Sequence, residues 1–328
     1  MGNRVERVDR VEINEEDLNL NKQILEPIQL NNGKNCPVMG LGTALIKTEE
    51  DIDIIYQSIK DGVRLIDVQP DKEELVGKGI KKALNDKIVK RKELFIVAKL
   101  ELIDKDNPEK ALRETLKKIQ LNYVDLYLDH WPPCRIHKEP KIKKLEKISV
   151  KDTWEKMEKL VDLELTDSIG VSNYNIASLL NIISICKIKP VVNEVEFHPY
   201  LYQKDLKQFC DFENIKIFAY NTFVKGEYCK KIPSYEKVYD LFKEGTITFL
   251  HRNVNYNHLE RGNIILNWYL SMGVIPIIGT SKKDRMKENL KARNFTMSKR
   301  NIDLIGSMED KQQRFIDGSE IFGIDIFA

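Results

Sequence analysis

The chain is 328 residues long, 42% hydrophobic and 32% charged, which supplies enough apolar side chain to close a core beneath a solvated exterior. Its 53 basic and 51 acidic residues leave a formal net charge of only +2, so no excess of positive charge is available to neutralise a phosphate backbone and nucleic acid is not an expected partner. Five cysteines (Cys36, Cys134, Cys186, Cys210, Cys229) fall in no CxxC or zinc-ligand spacing, which argues against a disulfide framework or a metal site and for free thiols in a reducing compartment.

In chain order, residues 1–27 come first and are polar and charged throughout. They lack the apolar core of a secretory signal, and their acidic residues tell against a transit peptide. Gly2 suggests myristoylation, but Glu6 stands where that motif needs Ser or Thr. No run approaches the roughly 18 apolar residues of a membrane span, so a cytoplasmic location is expected. These residues read as an N-terminal extension, and 28–328 as one folded unit with a C-terminal tail.

The segment 28–34 (IQLNNGK) reads as a hairpin turn. From Pro37 onward, β-rich apolar runs alternate with stretches of helical period, the pattern of parallel strands joined by crossover helices. Candidate strands lie at 38–43, 64–67, 94–100, 124–129, 167–171, 191–195, 216–220 and 274–277. Each is followed by room for one helix, and eight such units over roughly 250 residues predict a (β/α)8 TIM barrel. A doubly wound open sheet is the competitor, but no G-x-G-x-x-G follows the first strand.

Between these strands, 152–165 places Trp154, Met157, Leu160, Val161 and Leu163 close to one helical face. Asn175 and Asp284 stand as N-caps for helices over 175–186 and 284–290. Two long connections leave the C-terminal ends of strands, where barrel enzymes build their sites: a basic stretch at 133–150 and an irregular one at 221–261. The first, like the N-terminal arm, is a candidate surface for a protein partner, with a solvated loop as the plainer reading.

Three polar residues close three successive strands: Asp67 ends RLID, Lys99 lies near the end of LFIVAKL and His130 ends VDLYLDH. A carboxylate, an ammonium and an imidazole converging there can tune one another and handle a proton. The plainer alternative for Asp67 and Lys99 is an ion pair filling the barrel mouth. His198 and Pro199 read as structural, and His251 and His258 as solvated.

The ordered motifs GLGT at 40–43, RLID at 64–67, VDLYLDHWP at 124–132, TWEKMEKLV at 153–161, SIGVSNYN at 168–175, VNEVEFHPYL at 192–201 and VIPIIGTS at 274–281 together resemble the aldo-keto reductase family, from residue 28 to about 290. The resemblance implies carbonyl reduction by a nicotinamide cofactor, with an Asp, Tyr, Lys, His tetrad in which the Tyr hydroxyl donates the proton. Asp67, Lys99 and His130 match three of these positions, and Trp131 is implied in substrate binding. The fourth departs: the family places its Tyr five residues after the Asp, whereas this chain reads Asp67-Val-Gln-Pro-Asp-Lys-Glu-Glu-Leu-Val-Gly77, about two residues shorter and with Pro70 or Lys72 at that place.

For the cofactor, the resemblance implies Gly42, Thr43, Ala44 and Asp67 at the first strand ends. It places Ser172, Asn173 and Glu194 at the nicotinamide carboxamide, and Tyr220 stacked on the ring. Glu194 stands where the family prefers Gln, and an ionised carboxylate only accepts hydrogen bonds. Asn221 and Phe223 follow where the family has a hydroxyl-bearing turn. Thr280, Ser281, Arg285, Glu288 and Asn289 lie on the phosphate side, where Arg285 and a helix dipole would favour a 2′-phosphate and so NADPH over NADH.

Losing a positioned general acid commonly costs 10²–10⁴-fold in rate, on the order of several kcal/mol. The main expectation is therefore a catalytically impaired pseudoenzyme that binds NADPH and serves as a structural or regulatory subunit. The alternative is an active NADPH-dependent aldehyde or ketone reductase acting on a small carbonyl substrate, with His130 or a water held by Lys99 as proton source. Cofactor binding without turnover stands between the two.

Overall fold

The structure, a computed structural model, describes residues 27–132, 135–136, 145–146, 149–224, 240–252, 259–311, 313–316, 318 and 327. Residues 1–26, most of 133–150 and parts of 221–261 fall outside these, so the expectations for the N-terminal arm and for most of both long connections lie outside the described residues.

The chain enters through a short antiparallel hairpin, β1 (Ile28–Gln29) and β2 (Asn35–Cys36), turned at Gly33 with φ +84°. Then come β3 (Gly40–Gly42), α1 (Ile52–Lys60), β4 (Leu65–Asp67), α2 (Glu73–Asn85), β5 (Phe95–Leu100), α3 (Pro108–Ile119) and β6 (Leu126–Asp129). A two-residue hairpin, β7 (Arg135–Ile136) and β8 (Leu145–Glu146), precedes α4 (Val150–Asp162), β9 (Ile169–Ser172), α5 (Ile176–Ile185), β10 (Val192–Glu196), α6 (Lys204–Phe212) and β11 (Lys216–Tyr220). The last part holds α7 (Gly245–Arg252), α8 (Arg261–Ser271), β12 (Ile275–Gly279), α9 (Arg285–Asn289) and α10 (Lys299–Gly306).

Strands β3, β4, β5, β6, β9, β10, β11 and β12 pair in parallel and close into a barrel, the seam being β12 on β3 with Ile278 opposite Leu41. This is the expected (β/α)8 fold, with each of the eight expected strands present. Closure follows from two-sided burial. Successive strand residues face alternately inward and outward, and both sets here are apolar. The inward set (Leu65, Phe95, Val97, Leu126, Leu128, Val192, Phe218, Ile275 and Ile277) forms its own cluster, to which Leu30 and Cys36 of the entry hairpin are added as a floor. The outward set packs against the helices in a larger one. Continuing the inward parity toward the C-terminal ends brings Asp67, Lys99, Ser172, Glu194 and Tyr220 onto the inner wall above the apolar layers.

The helices bear out their stripes with small differences. In α4, Trp154, Met157 and Leu160 are buried as expected, while Leu163 is 46% exposed because the helix ends one residue earlier. Asn175 caps α5 by accepting the Ser178 N–H at 2.9 Å. Asp284 occupies the N-cap of α9 but makes no side-chain cap bond, its backbone being already helical. Among the described residues no helix is long and apolar enough to cross a membrane.

Candidate active site

Three barrel strands, β4, β5 and β10, deliver a buried charge cluster. Asp67 at the end of β4 bonds the Lys99 ammonium from β5, and Glu194 of β10 meets the same ammonium at 3.2 Å. All three side chains are almost fully buried. Burial pulls the Lys99 ammonium down, but the Asp67 and Glu194 charges outweigh it and hold the group above the ordinary lysine value. Glu194 answers in the other direction: burial first, and then the Asp67 charge, push its carboxyl up to about 7 against the pull of Lys99. In its protonated form such a carboxyl both donates and accepts, as an amide does.

Thr43 is wholly buried and braces the start of the β4 loop, donating its hydroxyl to the Asp67 carbonyl at 2.9 Å and accepting the Gln69 N–H at 2.9 Å. Gly42 lies on the inner wall, where an added Cβ would come within 3.1 Å of Ile277. Ala44, next along, is exposed. In the shortened loop, Asp71 adopts a left-handed φ of +72° and its carboxylate takes the Lys72 ammonium at 2.9 Å. Lys72 is thereby committed away from Lys99. Among the described residues, the ion-pair partners of Lys99 are the two carboxylates, and no phenol hydroxyl bonds it.

His130 follows β6, with its backbone N–H on the Leu100 carbonyl at 3.2 Å. Its Nδ1 lies against a carboxylate oxygen of Glu101, the residue after β5, and its carbonyl accepts the Asn173 amide at 2.9 Å. Trp131 packs beside it with ring centroids 5.9 Å apart and is 5% exposed. Behind this pair Lys105, buried without exposure, bonds Asp129 at 2.6 Å and also the Trp131 carbonyl, and the Tyr174 hydroxyl donates to Asp129 at 2.8 Å. These groups fix the backbone that presents His130.

Ser172, Asn173 and Tyr220 form one network. The Ser172 hydroxyl donates to the Glu194 carbonyl at 2.8 Å, and Asn173, left-handed at φ +64°, receives the Tyr220 hydroxyl at 2.6 Å on its side-chain oxygen. Burial, ahead of the Glu196 charge, pushes the Tyr220 phenol well above its ordinary value, so this phenol near the barrel mouth is both spent and a weak acid. Asn221 donates to Glu196 at 2.8 Å. Phe223 stacks on Phe242 with centroids 5.3 Å apart, which ties that turn into the core.

On the phosphate side, Thr280 is buried and receives the Lys282 N–H at 3.1 Å, while Ser281 and Arg285 are exposed. Glu288 pairs with Lys291 at 2.6 Å, and Asn289 is buried with its amide against Met286. Helix α9 is only five residues long, too short for the macrodipole expected of it, so any anion preference rests on the Arg285 charge. Among the described residues no group of His, Cys, Asp or Glu side chains could hold a metal ion. Glu101, Lys105, Asp129 and Glu196 were not among the residues read from sequence.

The aldo/keto reductase family profile matches residues 38–310, that is, all eight barrel strands and the site residues just described. The chain belongs to the aldo/keto reductase family. Curated relatives include an NADH-dependent D-xylose reductase of Candida parapsilosis, 32% identical over 321 residues and covering 92% of this chain and 97% of that protein. An NADPH-dependent D-xylose reductase of Candida boidinii is also 32% identical, over 86% of this chain and 92% of its own length. Among solved structures, the Bombyx mori aldo-keto reductase in complex with NADP superposes with a TM-score of 0.80 at 31% identity, covering 90% of this chain and 95% of that one. This family membership explains the ordered motifs.

Proposed function

We propose that the protein is an NADPH-dependent reductase of small aldehydes or ketones. The observation that carries this reading is the convergence of Asp67, Lys99 and His130 with Ser172, Asn173, Glu194 and Tyr220, each in or just after the C-terminal half of a barrel strand. The similar proteins are reductases by name, and the silkworm structure holds NADP. The pseudoenzyme expectation finds no support among them, and neither does a protein partner.

The residues present fit a nicotinamide cofactor. One oxygen of Glu194 is buried with no hydrogen-bond partner, a cost that a bound carboxamide would relieve, and Ser172 and Asn173 flank it. Arg285 is exposed and pairs with no carboxylate among the described residues, which suits a 2′-phosphate and favours NADPH. NADPH would supply the hydride. The chain's own residues would hold the ring, exclude water and deliver a proton to the carbonyl oxygen.

The test is purified protein with NADPH and a panel of open-chain aldoses, aliphatic and aromatic aldehydes and ketones. Cofactor oxidation well above the uncatalysed rate is expected. No turnover across the panel with either NADPH or NADH would overturn the reading.

A further inference from the structure

The reductase reading leaves one role to assign: the stretch from Asp67 to Gly77 carries no Tyr, and among the described residues the other candidate donors are committed. Tyr220 spends its hydroxyl on Asn173 and Tyr174 on Asp129. Lys72 is held by Asp71, and Lys99 is buried between Asp67 and Glu194. The unpartnered oxygen of Glu194 is itself out of contact with solvent. His130 differs from all of these: 15% of its side chain is open to solvent, and Nδ1 is engaged while Nε2 makes no hydrogen bond among the described residues.

Glu101 is why Nδ1 is engaged. Leu100 and Asp129 are register partners across β5 and β6, so the next residue on each strand, Glu101 and His130, emerge side by side. Glu101 also stands at the N-cap of the 3-10 turn Leu102–Asp104, where an acidic side chain ordinarily bonds the turn's free N–H groups; here it makes no such bond and lies on the imidazole instead. A carboxylate that accepts the Nδ1 proton fixes the ring's orientation, so in the doubly protonated ring the Nε2 proton is the one that can be given away.

We propose that Glu101 is a positioning residue that orients the His130 ring, so that its Nε2 supplies the proton this site would otherwise take from a phenol. This rests on the reductase reading. In the step, the carbonyl π bond breaks, the carbon takes the hydride that oxidises the nicotinamide, and the oxygen takes the Nε2 proton. The imidazole is left neutral, with Nδ1–H still on Glu101, and regains its proton from solvent.

The test compares wild type with Glu101→Leu, Glu101→Asp and His130→Gln. Glu101→Leu is expected to lower kcat by roughly 10–100-fold, the range in which orienting partners act, with the aldehyde KM and the NADPH Kd within about twofold of wild type. Glu101→Asp restores most of the loss, and His130→Gln loses at least as much as Glu101→Leu. In ¹H–¹⁵N correlation spectra the wild-type His130 carries its neutral-state proton on Nδ1, and Glu101→Leu shows a tautomer mixture. Full kcat in Glu101→Leu, a loss expressed equally in KM and cofactor affinity, or an unchanged tautomer overturns the proposal. Wild type without turnover would instead strike at the reductase reading itself, so the two failures are told apart.

Discussion

Glu194 shows how one side chain can look like a defect in sequence and behave otherwise in the fold. Buried beside Asp67, its carboxyl titrates near 7, whereas its ordinary value is 4.5. Between those values the folded chain binds more protons than the unfolded one, so this contribution to stability is fully present below about pH 4.5. It is lost as pH rises through about 7. Glu194→Gln removes the titrating group at constant shape. In thermal unfolding at about pH 5 and about pH 8, the wild-type Tm should fall relative to the variant's; parallel behaviour at both would mean the carboxyl titrates normally. Asp67, Lys99 and His130 could be read from sequence because each closes a β-rich run, where parity and strand direction fix its place. Glu101 and Lys105 could not, since what makes them matter is a neighbour across the sheet or behind it, and a charged residue after a strand carries no local mark of its partner.

Elements were legible for the same reason that they are stable. Alternation and helical period belong to the chain itself, and all eight strands and the α4 and α5 helices came through with ends moved by a few residues. What periodicity does not carry is how closely two elements approach. Gly77 in α2 is an example: an added Cβ would stand 2.7 Å from the Ile119 Cα and the Lys118 carbonyl at the end of α3, backbone atoms that cannot swing aside. Gly77→Ala should therefore push α2 off α3 and destabilise by about 1–3 kcal/mol despite alanine's better helix propensity. Gly245, at the first position of α7, has nothing within 4 Å of the same added atom, and Gly245→Ala should be neutral or slightly stabilising. Urea unfolding of the two variants measures the contrast, and equal midpoints would show that the helix pair is looser than this packing requires.

At the scale of the whole molecule, the last described stretch is tied back across the C-terminal ends of the barrel by one buried carboxylate. Glu196, at the end of β10, accepts the N–H groups of Phe315 and Ile316 at 2.9 Å each on one oxygen; the other takes His198 at 3.1 Å and Asn221 at 2.8 Å. Gln313 bonds the Tyr200 carbonyl at 2.9 Å and Arg314 reaches Gln203 at 3.1 Å, so residues 313–316 run along the β10–α6 connection. Burial alone would raise Glu196, but His198, then Asn221 and the Ile316 N–H, outweigh it and hold the carboxyl below its ordinary value. A depressed folded value gives stability that is present above the unfolded value and is lost as pH falls through the folded one, so the tie should slacken only in acid, below about pH 4.5. Glu196→Gln puts an N–H donor among donors and removes the charge from hydrogen bonds worth about 1.5–3 kcal/mol each. Amide exchange at Phe315 and Ile316 should then quicken by at least about tenfold at neutral pH while the amides of β5 and β6 keep their protection. If those two amides exchange no faster in the variant, the carboxylate is not what fastens the C-terminal segment to the barrel.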